Sequence, residues 1–208
     1  MDLSTWLTFF AAAWAISLSP GAGAIAAMST GLNHGLARGW PIVLGLVAGI
    51  WTQIVVVGIG LGALIAASSL AFLIVKWAGV AYLVWLGIRQ WRAPAAPLVA
   101  STAEPTGVSG RGLFGRGWMV NAVNPKGTVF LLAVVPQFLD LSRSLAPQYA
   151  VIAGTLACTD TVVMAGYMLL AARVLSLLRA PAHLKALNRV FGGLFVLAGS
   201  LLATFKRL

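Results

Sequence analysis

The chain has 208 residues, of which 60% are hydrophobic and only 9% are charged, and its formal net charge is +10. Soluble domains carry roughly 25% charged residues, so this composition excludes a chain whose main solvent is water. The basic residues are spread over short segments between apolar runs and form no continuous stripe, which argues against nucleic acid as a partner.

Six apolar runs follow one another along the chain, and each is about as long as the roughly 20 helical residues that cross a bilayer core. None shows the strict alternation that is typical of transmembrane strands. The predicted spans cover about 4 to 30, 39 to 67, 70 to 91, 113 to 138, 146 to 172 and 186 to 206. Because no basic residue lies in Met1-Asp2-Leu3-Ser4, we expect the first span to be a permanent helix and not a cleaved signal peptide. The sequence therefore predicts an all-α membrane protein with six transmembrane helices.

A polar connection divides the six spans into two sets of three. It runs from Arg92 to Gly112 and is rich in Pro, Ser, Thr and Gly, a composition that cannot bury enough apolar surface to order itself. We therefore predict a first half over residues 1–91, a cytoplasmic linker over 92–112 and a second half over 113–208. Because three is an odd number, a second half that resembles the first must cross the membrane in the opposite sense. This is the geometry of an inverted repeat.

The first span of each half contains an internal proline. Pro20 lies in Ser19-Pro20-Gly21, two residues before Gly23, and Pro125 lies in Asn124-Pro125-Lys126-Gly127. Proline removes an amide donor and clashes with the preceding helical turn, and broken backbone is tolerated in lipid only where it is buried in protein or lines a wet cavity. A simple kink is the alternative interpretation of either proline alone. Interrupted spans at matching places in two halves favour a solute-binding site between them.

Lysine and arginine are distributed unequally over the two sides of the predicted bundle. Nine lie in or beside the first, third and fifth loops: Arg38, Arg89, Arg92, Arg111, Arg116, Arg173, Arg179, Lys185 and Arg189. Three or four lie on the other side: Arg143, Lys206, Arg207 and, near the end of the third span, Lys76. Because positive loops face the cytoplasm, we expect loops 1, 3 and 5 to be cytoplasmic and both termini to be outside.

Asp160 is the one acidic residue near the middle of a predicted span. The chain has only three other acids, Asp2, Glu104 and Asp140, which lie at an end or in a loop. A charged group inside the membrane is costly, which makes it a candidate for function by default. Asp160 could take up a proton or bind a cationic group such as an ammonium. It could also be protonated or paired with lysine and merely hold helices together.

Lys126 is the one strongly basic residue that is placed well inside a predicted span. Its ammonium group could hold a solute carboxylate, pair with Asp160, or extend to the interface if the fourth span begins later than predicted. Asn121, Asn124 and Gln53 are the other intramembrane amides. We expect these amides to join helices by hydrogen bonds and not to bind a ligand, unless they face the same cavity.

The residue types favour transport over catalysis. His34 and His183 fall in predicted loops, and Cys158 is the only cysteine, so no metal cluster and no cofactor is expected. Ser19 has no histidine within a span to activate it as a nucleophile. One alternative is an intramembrane enzyme acting on a lipid-linked substrate. The other is a non-transporting assembly subunit, but such a subunit would not need a buried charge and two matched breaks. Glycine-rich helix faces permit close packing within one bundle or in a small homo-oligomer.

Five motifs follow one another along nearly the whole chain in an order that a known family shares. They are Ser19-Pro20-Gly21-Ala22-Gly23 with Gly31-Leu32 and Gly35; Lys76 to Leu83 with Leu86-Gly87; Gly117 to Asn121 with Asn124-Pro125-Lys126 and Pro136-Gln137-Phe138; Asp160; and Asn188 to Gly193. Together they resemble the LysE/RhtB family of bacterial amino-acid exporters, the LysE family translocators. Ala22 departs from the family pattern, in which many members have a second proline.

The resemblance implies export of amino acids or their derivatives, of the homoserine, threonine or lysine type, across the bacterial inner membrane, driven by the proton-motive force. We expect alternating access about a cavity between the two broken spans. The expected solute-binding residues are Ser19, Pro20, Gly21, Gly23, Asn124, Pro125, Lys126 and Asp160. In this hypothesis, the helix ends and Lys126 receive the carboxylate of the solute. Asp160 binds its amino group or the coupling proton.

Overall fold

The computed structural model describes residues 1–67, 69–94, 108–171 and 181–204, and within these ranges the regular structure is entirely helical. The seven helices described are α1 Leu3–Leu18, α2 Ala22–Ala67, α3 Ser69–Arg92, α4 Gly110–Ala122, α5 Pro125–Phe138, α6 Leu145–Leu169 and α7 Pro181–Thr204. The predicted all-α fold is confirmed. Most of the predicted linker over 92–112 lies outside the described residues.

The described helices include up to three segments that could cross a membrane. Ala22–Gly60 and Leu145–Leu169 are each long and apolar enough, and α4 and α5 form a third segment when this pair, bent by 54°, is counted as one broken span. Large apolar side chains such as Val56, Ile59 and Val190 are exposed on the outside of the bundle. Such a surface is expected where lipid is the solvent, and the chain is a multi-pass membrane protein.

Both proline-associated breaks are present, and each separates two helices. The first consists of Ser19–Gly21, between α1 and α2. The second consists of Val123 and Asn124, so that Pro125 is the first residue of α5 and does not lie within the break. Proline fits this position because its missing N–H would have no helical partner in the first turn.

The expected loop between the first two spans is reduced to a kink within α2. Gly35 alone has non-helical backbone angles there, with φ 69° and ψ 177°. Glycine reaches this region without the steric penalty of a Cβ atom, so one residue is enough to redirect the chain. The predicted placement of His34 in a loop is wrong, because His34 lies in α2. The same prediction for His183 is also wrong, because His183 lies in α7.

Glycines bring the backbones of α2 and α4 into contact, and these two helices form the most extensive helix pair described. A Cβ atom added at Gly45 would meet the backbone of Phe114, and one added at Gly117 would meet the backbone of Ile42. Because lipid tails are as apolar as leucine, membrane helices associate through such close packing more than through the hydrophobic effect. This pair holds α4 beside the part of α2 that follows the kink.

Asp2 caps the first helix. Its carboxylate accepts hydrogen bonds from the backbone amide of Thr5 (2.8 Å) and the hydroxyl of Ser4 (2.8 Å), and these bonds lower the pKa of Asp2 from 3.8 to about 2. Because a carboxyl group with a lowered pKa stabilises the fold in its charged form, this cap is complete above pH 3.8. Its contribution is lost as the pH falls through about 2.

We expect Asp2→Ala to accelerate hydrogen exchange of the Thr5 amide at neutral pH, because the amide loses its acceptor. Asp2→Ser is the matched control, since serine also caps helices but does not titrate. This variant should retain the protection of Thr5 and lose its dependence on acidic pH. Exchange at the native rate in the alanine variant would show that the cap does not order the helix start.

Candidate functional site

A cavity of about 70 Å³ lies between the two breaks. With roughly 10–15 Å³ for each water molecule, it has room for about five to seven waters. Its lining comprises Ile16, Ser17, Ser19, Gly21, Gly23, Ala24, Ile50, Gln53, Asn121, Asn124, Lys126, Gly127, Phe130, Leu131, Leu156, Asp160 and Met164. Both breaks therefore face one cavity, which also receives side chains from α1, α2, α4, α5 and α6.

The cavity brings together six of the eight residues that the sequence singled out. Ser19, Gly21, Gly23, Asn124, Lys126 and Asp160 all line it. Pro20 and Pro125 do not belong to the lining and instead shape the backbone on either side of it. The lining also includes Gln53 and Asn121, which were expected to join helices unless they faced the same cavity as Asn124, and all three amides do line it.

The first break exposes carbonyl groups at the end of α1, and side chains from the second half of the chain occupy them. Lys126 Nζ donates to Ser19 O (3.1 Å) and to Ser19 Oγ (2.6 Å). The hydroxyl of Tyr167 in α6 donates to Leu18 O (2.7 Å). A hydrogen bond typically contributes about 0.5–1.5 kcal/mol, and more when the donor is charged, so these bonds stabilise the broken end of α1.

The ammonium group of Lys126 is therefore already engaged. Besides its two bonds to Ser19, Nζ lies 5.6 Å from the centre of the Phe195 ring, within the range of a cation–π interaction. No hydrogen bond or ion pair joins Lys126 to Asp160, although the structure describes both residues. The pairing of these two side chains, one of the alternatives left open by the sequence, is not present.

The second break is fixed by amide side chains. Asn124 Oδ1 accepts a hydrogen bond from the backbone amide of Lys126 (3.1 Å) and caps α5. Gln53 Nε2, from α2, donates to Asn124 O (2.8 Å) and to Thr128 Oγ1 (2.8 Å). A Cβ atom added at Gly127 would lie 2.6 Å from Gln53 Oε1, so glycine lets this side chain approach. The helix-joining role expected of Gln53 agrees with these contacts.

Asn121 joins α4 to α2 at the edge of the cavity. Its Nδ2 donates to Leu46 O (2.9 Å). A Cβ atom added at Gly23 would lie 3.4 Å from Asn121 Oδ1. The absence of a side chain at Gly23 therefore leaves space beside a polar oxygen of the lining.

Asp160 faces the cavity from α6 and is only 6% exposed. Its Oδ2 is buried and has no hydrogen-bond partner among the described residues. A buried carboxyl oxygen without a partner is costly, so a site that retains one is suited to a ligand that supplies a proton or a donor. Searched over the described ranges, the structure contains no group of three or more His, Cys, Asp or Glu residues that could hold a metal ion.

Tyr167 is a residue beside the first break whose contact sequence reasoning missed. It follows Asp160 by seven residues, which places both on one face of α6, and this spacing is the signal that could have found it. Its hydroxyl bond to Leu18 O ties α6 to the broken end of α1.

We expect Tyr167→Phe to lower the stability of the protein by about 0.5–1.5 kcal/mol, because Leu18 O loses its hydrogen-bond donor. Thermal unfolding in detergent would measure this loss, and transport should slow with it. Tyr149→Phe is the matched control in the same helix, since no hydrogen bond of the Tyr149 hydroxyl is present within the described residues. Equal stability of the two variants would contradict the role of Tyr167.

The chain is similar to bacterial membrane proteins over its full length. It is 45% identical over 206 residues to the homoserine/homoserine lactone efflux protein of Salmonella typhimurium, with 99% of each chain covered. It is 43% identical over 206 residues to an uncharacterized membrane protein of Vibrio cholerae, covering 99% of this chain and 100% of that protein. The leucine efflux protein of an Enterobacter species is 29% identical over 201 residues, or 93% of this chain and 92% of that protein. No solved structure matches the chain significantly.

The sequence model of the LysE type translocator family matches residues 14–205. This range contains both breaks, every helix after α1 up to α7, and Asp160. The match confirms the resemblance that the motifs indicated and favours a transporter over the enzyme and the assembly subunit. The chain therefore belongs to the LysE type translocator family.

Proposed function

We propose that this translocator exports small amino acids and close derivatives, with homoserine as the leading solute, in exchange for protons. The observation that carries the proposal is the cavity between the two breaks, into which Asp160 brings a carboxyl oxygen without a partner. Relatives are named for efflux of homoserine, homoserine lactone and leucine. These three solutes share an α-amino group and an uncharged side chain, which suits a cavity with one carboxyl group.

In the proposed mechanism, the cavity opens alternately to the two sides of the membrane. Asp160 binds the amino group of the outgoing solute, and a proton replaces it for the return step. The N-terminal ends of α2 and α5 both lie at the cavity, and helix N-termini favour nearby negative charge, as in transporters with broken helices. These ends therefore suit the part of the solute that carries its oxygen atoms.

We also propose that the helices form six crossings in two inverted halves, residues 1–91 and 113–208. Pro125 lies 105 positions after Pro20 (125 − 20), and Gly192 lies the same distance after Gly87. A Cβ atom added at Gly87 would lie 2.6 Å from Gly192 O, and one added at Gly192 would lie 2.6 Å from Gly87 O. Reciprocal contacts of this kind are expected where a two-fold axis relates equivalent surfaces.

The proposed location is the bacterial inner membrane, with both termini outside and loops 1, 3 and 5 in the cytoplasm. The support is the excess of lysine and arginine in or beside the three loops that the sequence predicts on this side. The described cavity is formed within one chain, so a homo-oligomer would not be needed to complete it.

Efflux of radiolabelled homoserine from vesicles that contain the purified protein tests the proposal. Protein-dependent efflux of unchanged homoserine, accelerated by a proton gradient in the opposite direction, is the expected result. Efflux no faster than from empty vesicles would contradict the proposal. Chemical conversion of the tracer would instead support the enzyme alternative.

A further inference from the structure

We infer that Asp160 is the one side chain of the cavity that recognises a charged group of the solute, its ammonium group, and that Lys126 is a positioning residue that does not bind the solute carboxylate. This inference rests on the proposed function and specifies the solute class: small primary amines with one ammonium group, whether or not they carry a free carboxylate.

The geometry of Lys126 supplies the first step. An ammonium group has three hydrogens to donate. Ser19 O and Ser19 Oγ accept from Nζ at 3.1 Å and 2.6 Å, and the centre of the Phe195 ring lies 5.6 Å from Nζ. A solute carboxylate that captured this ammonium group would compete with the carbonyl oxygen at the broken end of α1. Lys126 thus already holds the backbone carbonyl group and the hydroxyl group of Ser19.

The acids of the chain supply the second step. Asp160 is the one acid in the cavity lining, and its Oδ2 has no hydrogen-bond partner in the described part of the chain. Asp2 caps α1, and Asp140 pairs with Arg143 at 3.2 Å in the turn after α5. Glu104, the fourth acid, lies outside the described residues. The cavity therefore offers one carboxyl group, which can neutralise one ammonium group.

Three consequences for the solute follow. Acylation of the amino group should abolish recognition, because it removes the cation that Asp160 binds. A second ammonium group should also be rejected, since it would enter the cavity without a counter-charge. Masking the carboxylate as an ester or lactone should be tolerated, because no cationic side chain of the cavity is free to require it.

Homoserine and three analogues separate these consequences. Exchange of labelled for unlabelled homoserine by the native protein in vesicles would be measured in the presence of each competitor. The pH would be about 6, where α-amino groups are protonated. The competitors are homoserine lactone, N-acetylhomoserine and 2,4-diaminobutyrate, which carries an ammonium group where homoserine has its hydroxyl. The lactone concentration that halves exchange should lie within about fivefold of the unlabelled homoserine concentration that does so. N-acetylhomoserine and 2,4-diaminobutyrate should each require a concentration at least about 50-fold higher than that of homoserine.

A Lys126→Gln variant distinguishes positioning from binding. If Lys126 positions the first break, exchange of homoserine and of its lactone should fall by the same factor. If Lys126 binds the carboxylate, homoserine should lose about tenfold or more relative to the lactone. The competitor series uses the native protein and therefore remains decisive if this variant does not fold.

The possible failures are distinct. Competition by N-acetylhomoserine or by 2,4-diaminobutyrate as strong as that by homoserine would overturn the inference while leaving the exporter function intact. The inference would also be overturned, with the exporter function intact, if the lactone failed to compete. A selective loss of homoserine exchange in the Lys126→Gln variant would have the same meaning. No exchange of homoserine above empty vesicles would overturn the proposed function, and the inference with it.

Discussion

Replacing Asp160 by asparagine is expected to slow homoserine efflux by about 100-fold or more, because a buried partner of a charged group contributes roughly 2–5 kcal/mol. Asparagine preserves the shape of the side chain but can neither pair with an ammonium group nor release a proton. Because Asp160 Oδ2 has no hydrogen-bond partner among the described residues, the substitution removes no hydrogen bond of this oxygen that holds α6 in place. The loss should therefore appear in transport rates and not in the amount of inserted protein.

Asp140→Asn provides the matched control for this substitution. Asp140 lies in the turn after α5 and forms an ion pair with Arg143, in which the two side chains are 43% and 71% exposed, respectively. Exposed pairs contribute little, so efflux should stay within about twofold of the native rate. Normal efflux by the inserted Asp160→Asn protein would refute the proposed mechanism. Retained solute binding with loss of proton coupling would assign Asp160 to the proton alone.

A second large effect is expected from Gly117→Ala, which should destabilise the protein by about 1–3 kcal/mol or more. A Cβ atom at this position would meet backbone atoms of Ile42 and Leu46, and backbone atoms cannot rotate away as a flexible side chain can. The helices α2 and α4 would have to separate, which disturbs the cavity wall that Asn121 shares with Leu46. Thermal unfolding in detergent would measure the loss.

Gly115→Ala, two residues earlier in α4, is the control for the chemistry of the substitution. No atom lies within 4 Å of a Cβ atom added at Gly115. Since alanine favours helix more than glycine by about 1 kcal/mol, this variant should be as stable as the native protein or more stable. Similar melting temperatures for the Gly115 and Gly117 variants would show that the α2–α4 contact does not limit stability.

Hydropathy and proline placement predicted much of the fold, because bilayer thickness and backbone chemistry constrain every span. The helices and both breaks follow from these constraints. The kink at Gly35 does not, since one glycine with positive φ leaves no trace in a hydropathy pattern. Hydropathy likewise suggested a later start for the last helix, which begins at Pro181.

Sequence reasoning selected Asp160 and Lys126 from their charge, but it could not assign their partners. When lipid and protein interior are both apolar, a helix gives little indication of which face points inward. The bond between Lys126 and Ser19 joins residues that are distant in the chain, as does the bond between Tyr167 and Leu18. The positions of Gln53 and Asn121 in the cavity lining could not be predicted for the same reason, because they depend on how each helix is rotated within the bundle.

The way in which the broken end of α1 is completed has a consequence for biosynthesis. Leu18 O and Ser19 O accept hydrogen bonds from Tyr167 and Lys126, which are translated long after α1 itself. Because carbonyl groups in the hydrocarbon core need partners, we expect the first break to reach membrane depth only after α5 and α6 have been synthesised. Truncated chains that end before Lys126 should accordingly be poor membrane proteins, and co-expression of the missing half should rescue them.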